Sequence, residues 1–179
     1  MSKNLKFDIA SLKGNKKKST IILFLKGIIM DNGFLAVVIY RIAHWLFRKN
    51  IPFIPSFLQR VSTFLTGIDI SFKSEIGAGL RIAHGVGIVI GSNVKIGKNA
   101  LILHGVTIGE RDFTTDAMPK IGDDVLIGAG AKVLGDIHVG NGAKIGANAV
   151  VIHSVPEGAT VTGIPARVVS NKKKLRGEK

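Results

Sequence analysis

Cysteine is absent from this 179-residue chain. That excludes disulfides, thiolate metal sites and a cysteine nucleophile. Aromatic residues are scarce, at 6%, so the core must be built from aliphatic side chains. Acidic residues are few: 12 Asp and Glu against 25 Lys and Arg, a formal charge of +13. The basic surplus gathers at the ends, in Lys13, Lys16, Lys17 and Lys18 and again in Lys172, Lys173, Lys174, Arg176 and Lys179. Such runs form solvated tails, or they attract an anionic membrane, a polyanionic substrate or a phosphorylated cofactor. Nucleic acid is not an expected partner, because no base-stacking or groove-reading module accompanies the charge. The start lacks a secretory pattern, since the apolar stretch begins late and Lys26 interrupts it.

What the chain does have is a repeat. Ile82-Ala-His84-Gly-Val86 returns as Ile102-Leu-His104-Gly-Val106. An aliphatic residue recurs every sixth position at Ile90, Ile96, Ile102 and Ile108, after Ile70, Ile76 and Ile82. The period resumes at Ile121 and runs through Ile127, Val133, Val139, Ile145 and Val151. Six is neither a helix period nor a strand alternation. It marks the hexapeptide parallel β-helix, in which each hexapeptide forms one side of a triangular coil. The fold class is therefore mainly β, with a short helical extension at the N-terminus. Three repeats separate the corners before His84 and His104, with two extra residues absorbed near residues 87–89. The two histidines should lie on adjacent coils, about one strand spacing (~4.8 Å) apart along the axis.

Four segments follow. Residues 1–20 are polar and basic and read as a disordered or loosely docked arm. Residues 21–66 form a helical extension: a short helix over 21–30, a second over 34–49 that Asn32 can cap, and a third over 56–66. These helices cover one open end of the solenoid or pack on a neighbouring subunit. A peripheral contact with the membrane interface is the alternative, as no apolar run reaches the ~20 residues of a span. Residues 67–165 form the β-helix, from which 110–119 projects as a loop and candidate substrate wall. Residues 166–179 are a basic tail. The expected location is cytoplasmic, with the inner face of the membrane as the alternative.

From Phe34 onward the chain resembles the serine acetyltransferase branch of the hexapeptide acyltransferases. The matching pieces include Gly67-Ile-Asp69-Ile, His84-Gly-Val-Gly-Ile-Val-Ile-Gly91, His104-Gly-Val-Thr-Ile-Gly109, Pro119-Lys-Ile-Gly122, Ile127-Gly-Ala-Gly-Ala-Lys132 and Gly163-Ile-Pro-Ala-Arg167. The resemblance implies a left-handed β-helix, a homotrimer with active sites between subunits, and acetyl-CoA as donor. It also implies His84 as the base that deprotonates the acceptor hydroxyl and Asp69 as its orienting carboxylate. The chemistry is sound on its own terms. Imidazole titrates near neutral pH and can take the proton in the transition state. A carboxylate on the other ring nitrogen fixes the tautomer. His104 is an active-site neighbour, which contacts the thioester or acceptor, replaces His84 as base, or only lines the cleft. Cofactor-binding candidates are Gly109, Gly128, Ala129, Gly130 and Ala131 for the pantetheine arm, with Lys132 and Arg167 for phosphates. No metal is expected, since hexapeptide carbonic anhydrases use three histidines and no third falls at a matching position here.

The sequence also departs from the serine enzymes. They carry Asp-His at the catalytic step, where this chain has Ala83-His84. They carry Asp-Arg-His before Pro-Lys-Ile-Gly, where it has Asp116-Ala117-Met118. Ala83, Ala117 and Met118 are thus the acceptor-site positions, and they lack charges a zwitterion would need. A closer resemblance is to the exopolysaccharide and capsule acetyltransferases of the colanic-acid type, which share the helix Tyr40-Arg41-Ile42-Ala43-His44. The expected acceptor is then a sugar or glycan hydroxyl. The alternatives are a serine O-acetyltransferase with an altered pocket, and a non-catalytic β-helix scaffold.

Overall fold

The structure, a computed structural model, describes residues 2–11, 20–112 and 117–171. Four helices lead: α1 (Ser2–Ser11), α2 (Thr20–Met30), α3 (Asn32–Arg48) and α4 (Ile54–Thr66). Fifteen short strands follow: β1 (Ile68–Ile70), β2 (Glu75–Ile76), β3 (Arg81–Ala83), β4 (Ile88–Ile90), β5 (Lys95–Ile96), β6 (Leu101–Leu103), β7 (Thr107–Gly109), β8 (Lys120–Ile121), β9 (Leu126–Ile127), β10 (Lys132–Leu134), β11 (His138–Val139), β12 (Lys144–Ile145), β13 (Val150–Val151), β14 (Ala159–Thr162) and β15 (Arg167–Asn171). They stack into three parallel sheets, β1-β4-β7-β10-β13, β2-β5-β8-β11 and β3-β6-β9-β12-β14, the last closed by antiparallel β15. We call them sheets A, B and C. Each turn of chain contributes one strand to each sheet, which is a β-helix.

The periodic aliphatic residues fill the axis. Ile90, Ile102, Ile108, Ile127, Val133, Ile145 and Val151 are all buried, as are the small partners Ala131, Ala143 and Ala149. Branched side chains stacked in register at one strand spacing bury apolar surface on every coil, and this drives the fold.

A solenoid leaves its first coil open, and α3 closes it. Tyr40 donates to Ser74 O at 2.8 Å and accepts from the Ile76 N–H at 3.2 Å. Arg41 donates to Ile76 O and Gly77 O. His44 donates from Nδ1 to Phe72 O at 2.9 Å, because a carbonyl can only accept. The Tyr-Arg-Ile-Ala-His segment is therefore an end cap that satisfies the open backbone. Burial raises the Tyr40 phenol above its ordinary pKa, against the lowering influence of Arg41.

Three expectations are corrected. Residues 2–11 form helix α1 where a disordered or loosely docked arm was expected, because Asp8 is wholly buried on the cap. Its carboxylate bonds Arg41 Nε at 2.9 Å and the Gly79 N–H at 2.7 Å. The cap of α3 is Asp31, not Asn32, with Oδ1 accepting from the Phe34 N–H at 3.0 Å. Part of the C-terminal tail, 167–171, is a strand rather than a free tail, since β15 folds back on the exposed edge of β14. The basic clusters at 13–18 and 172–179 lie outside the described residues. No described helix is long and apolar enough to cross a membrane.

Candidate active site

Register fixes the two histidines. Ile82 pairs with Ile102 and Ala83 with Leu103, so His84 and His104 follow on adjacent coils at the corner between sheets C and A. Both are exposed, which argues against a buried packing role.

The first of these corners is enlarged. From Ile82 to Val89 the chain takes seven residues to reach sheet A, while from Ile102 to the paired Thr107 it takes five. The two extra residues form a bulge over 84–87, with His84 at φ +54° and Gly87 at φ +75°. A histidine with positive φ is uncommon and costs backbone energy. The bulge is held by Val86 N–H to His84 O at 2.9 Å, Gly87 N–H to Gly67 O at 2.8 Å and Gly105 N–H to Val86 O at 2.9 Å. It therefore rests on the residue that leads into β1, and Asp69 stands two places further on. Asp69 faces outward from sheet A, half-buried, between the core residues Ile68 and Ile70. Its Oδ1 accepts from Gln59 Nε2 at 2.6 Å and not from His84. The sequence reading missed Gln59, a single amide in α4 with no periodic or motif signal.

The cofactor candidates separate. Gly109 lies on the outer face of sheet A, and a Cβ built there meets nothing within 4 Å. Neither packing nor a positive φ requires this glycine. Gly128, Ala129 and Gly130 continue the histidine corner upward, but a Cβ on Gly128 would strike Ala147 N at 2.7 Å and one on Gly130 would strike Asn148 Oδ1 at 2.1 Å. Coil stacking alone explains both. Ala131 is fully buried in the axis and is closed to any ligand. Lys132 turns back along sheet A and donates to Gly105 O at 2.8 Å and Thr107 Oγ1 at 3.0 Å, so its ammonium lies by the histidine corner. Arg167 is exposed on β15, five strands from β3, roughly 24 Å along the axis.

The acceptor positions also separate. Ala83 adjoins His84 on β3, half-buried. Ala117 and Met118 stand at the other end of sheet A, where the loop rejoins β8. Met118 packs on the core, its sulfur 3.9 Å from a Cβ placed on Gly91. Asp116 lies outside the described residues. The third coil takes 25 residues from Thr107 to its partner Lys132, against 18 in the coil after it, from Lys132 to Val150. The loop is thus a seven-residue insertion, and it carries Glu110, Arg111 and Asp112 at its start. His138 and His153 are exposed away from this corner. Among the described residues no three His, Cys, Asp or Glu side chains converge as a metal site. An open cavity of about 490 Å³ lies elsewhere, between α3 and sheet B, lined by His44, Arg48, Glu75 and Lys95.

Comparison with known proteins adds to this geometry. The family model described as bacterial transferase hexapeptide (six repeats) matches residues 87–111 and 118–153. A serine acetyltransferase of Bacillus licheniformis is 45% identical over 155 residues, covering 86% of this chain and 72% of that protein. One from Synechococcus elongatus is 44% identical over 138 residues, and there the chain spans 57% of the relative's length. The crystal structure of serine acetyltransferase from Brucella abortus superposes with a TM-score of 0.85 at 38% identity, covering 95% of this chain and 69% of that one.

These relatives support the acyltransferase reading and overturn the sugar acceptor. Closeness to the colanic-acid enzymes is not supported, and the helix thought to signal it is accounted for by its capping bonds. The sequence reading took the lack of charge at Ala83, Ala117 and Met118 as decisive, and the identity to these relatives outweighs it. With 45% identity across nearly three quarters of a relative's length, the chain belongs to the serine acetyltransferase family of hexapeptide-repeat transferases.

Proposed function

We propose that the protein transfers the acetyl group of acetyl-CoA to the hydroxyl of L-serine. The observation that carries this reading is the bulged corner, which presents His84 next to the strand that bears Asp69, in a chain of this family. His84 takes the hydroxyl proton as the serine oxygen attacks the thioester carbonyl. A tetrahedral oxyanion forms and collapses, the C–S bond breaks, and the imidazolium returns its proton to the thiolate. The products are O-acetylserine and CoA, with neutral His84 restored. Asp69 holds the imidazole in the reactive tautomer, and His104, one coil on, borders the reacting groups.

The open face at Gly109 supports a donor slot along sheet A, since a missing side chain lets an extended arm approach the backbone. For the acceptor, Arg111 is the one cation among the described residues of the loop, and a guanidinium suits the serine carboxylate. Asp112 beside it supplies the charge type that the ammonium needs. Within one chain this loop lies a strand's length from the histidines, so the reading also has each site built between neighbouring copies, as in a trimer.

The test is thiol release from acetyl-CoA with L-serine, ethanolamine and glycolate in parallel. Turnover with serine alone supports the assignment, because the other two each lack one charged end. Release at the same rate without any acceptor would overturn it.

A further inference from the structure

Helix α4 turns one amide toward sheet A. Gln59 is half-buried and bonded at both ends. Its Nε2 donates to Asp69 Oδ1 at 2.6 Å, and its Oε1 accepts from the Phe72 N–H at 3.3 Å. The second bond fixes the direction of the first. A backbone N–H can only donate, so the amide oxygen must face Phe72 and the NH2 group must face the carboxylate. The reversed amide would set oxygen against oxygen at Asp69 and N–H against N–H at Phe72. One oxygen of Asp69 is thereby occupied, and Oδ2 is left for another donor.

A purely structural role fits less well. The junction between α4 and β1 is already tied by the Ile68 N–H to Thr66 Oγ1 at 3.2 Å and by the Gly67 N–H to Thr63 O at 2.9 Å. Gly67 itself closes α4 in a left-handed cap at φ +69°. Removing Gln59 would leave these ties in place. What it would release is the carboxylate, because among the described residues Gln59 gives Asp69 its side-chain hydrogen bond.

We propose that Gln59 is a positioning residue for acetyl transfer. It clamps Oδ1 of Asp69 so that Oδ2 can receive a ring N–H of His84. The other ring nitrogen then keeps its lone pair aimed at the acceptor hydroxyl. This inference rests on the assignment of Asp69 and His84 made above.

The experiment compares Gln59→Ala, Gln59→Glu, Asp69→Asn and the double variant Gln59→Ala/Asp69→Asn in thiol release from acetyl-CoA with serine. Thermal unfolding and CoA binding are followed on each. Gln59→Ala should lower kcat on the order of 10- to 100-fold, as expected when a reacting group is misplaced by a fraction of an ångström. KM for acetyl-CoA and the unfolding temperature should stay near wild type. In the Asp69→Asn background the same substitution should cost nothing further, because both act through one group. Gln59→Glu gives a sign that packing alone cannot. At low pH a proton shared by the two carboxylates lets Glu donate as Gln did. As pH rises that proton is lost and the like charges repel, so the ratio of variant to wild-type rate should fall.

A wild-type kcat in Gln59→Ala, with Asp69→Asn impaired, would overturn the role of Gln59 and leave the Asp69 assignment standing. A wild-type rate in Asp69→Asn would overturn that assignment and this inference with it. If Gln59→Ala does not fold, the Gln59→Glu ratio decides: a ratio independent of pH overturns the proposal.

Discussion

Gly85→Ala sets two effects against each other at the residue after His84. Gly85 does not have a positive φ, so alanine can adopt its backbone. The entropy lost on folding would fall, a gain of about 0.4–1 kcal/mol. The new Cβ, however, would lie 2.4 Å from Ile68 Cδ1, 2.6 Å from Ile82 Cγ2 and 3.2 Å from Ile68 Cγ1. Carbon atoms pack at roughly 3.5–4.0 Å, so the methyl must gain about an ångström on two sides. Ile68 is fully buried and Ile82 nearly so, and both belong to the axial stack. Overpacking of this kind costs about 1–3 kcal/mol. The net loss of stability is then at most ~2.5 kcal/mol. At about 2–4 °C per kcal/mol for a chain of this size, Tm falls by no more than ~10 °C. Activity should suffer more. The strain is relieved most easily by moving the bulge, and about an ångström of displacement at a catalytic group costs on the order of 100-fold. Measuring kcat/KM for acetyl transfer beside calorimetric unfolding separates the two. A variant that loses stability as predicted but keeps wild-type kcat/KM would refute the view that this turn fixes the geometry of His84.

His84→Asn keeps a residue that tolerates positive φ; kcat should drop by roughly 100- to 10,000-fold with CoA binding intact, and a wild-type rate would remove His84 as base. Gly109→Val adds a side chain to open space on a strand, so Tm should hold while KM for acetyl-CoA rises on the order of tenfold or more; an unchanged KM would show that the donor does not cross this face. Arg41→Ala leaves the Asp8 carboxylate buried without its guanidinium, and losses of about 3–5 kcal/mol are typical of such a change; calorimetry finding less than 1 kcal/mol, about the worth of an exposed ion pair, would mean that α1 is not docked as described. Tyr40 has a raised pKa from burial, so its contribution to stability is complete below its ordinary value near 10 and is lost as pH rises through the folded value. Tyr40→Phe should be less stable at neutral pH, with two bonds lost, yet show a flatter decline in alkali when Tm is followed against pH.

The contrast between what periodicity revealed and what it hid has a physical basis. Every aliphatic residue assigned to the axis from Ile70 to Val151 is buried, because in a solenoid the fold is local: each coil repeats the last, and one period states the whole packing. The same count sets His84 and His104 on adjacent coils, although the two extra residues of the first corner leave Val86, rather than His84, in line with His104. Asp8 was invisible to that logic. It meets Arg41 across 33 residues and Gly79 across 71, and nothing in a short polar segment signals so distant a partner. Gln59 was hidden in a different way. It contacts Asp69 and Phe72 from within ten to thirteen residues, but a lone amide on an amphipathic helix has the same look whether it faces water or a carboxylate. Only the left-handed turn at Gly67, which swings β1 back beside α4, brings them together. The acceptor was misjudged for the opposite reason, since two of the three motif positions trusted, Ala117 and Met118, lie in a segment where the repeat breaks. A seven-residue insertion has no register of its own, so Ala117 and Met118 could not report what the loop presents from Glu110 to Asp112. Specificity in this fold is therefore to be sought where the period fails, at the 84–87 bulge and the 110–119 loop.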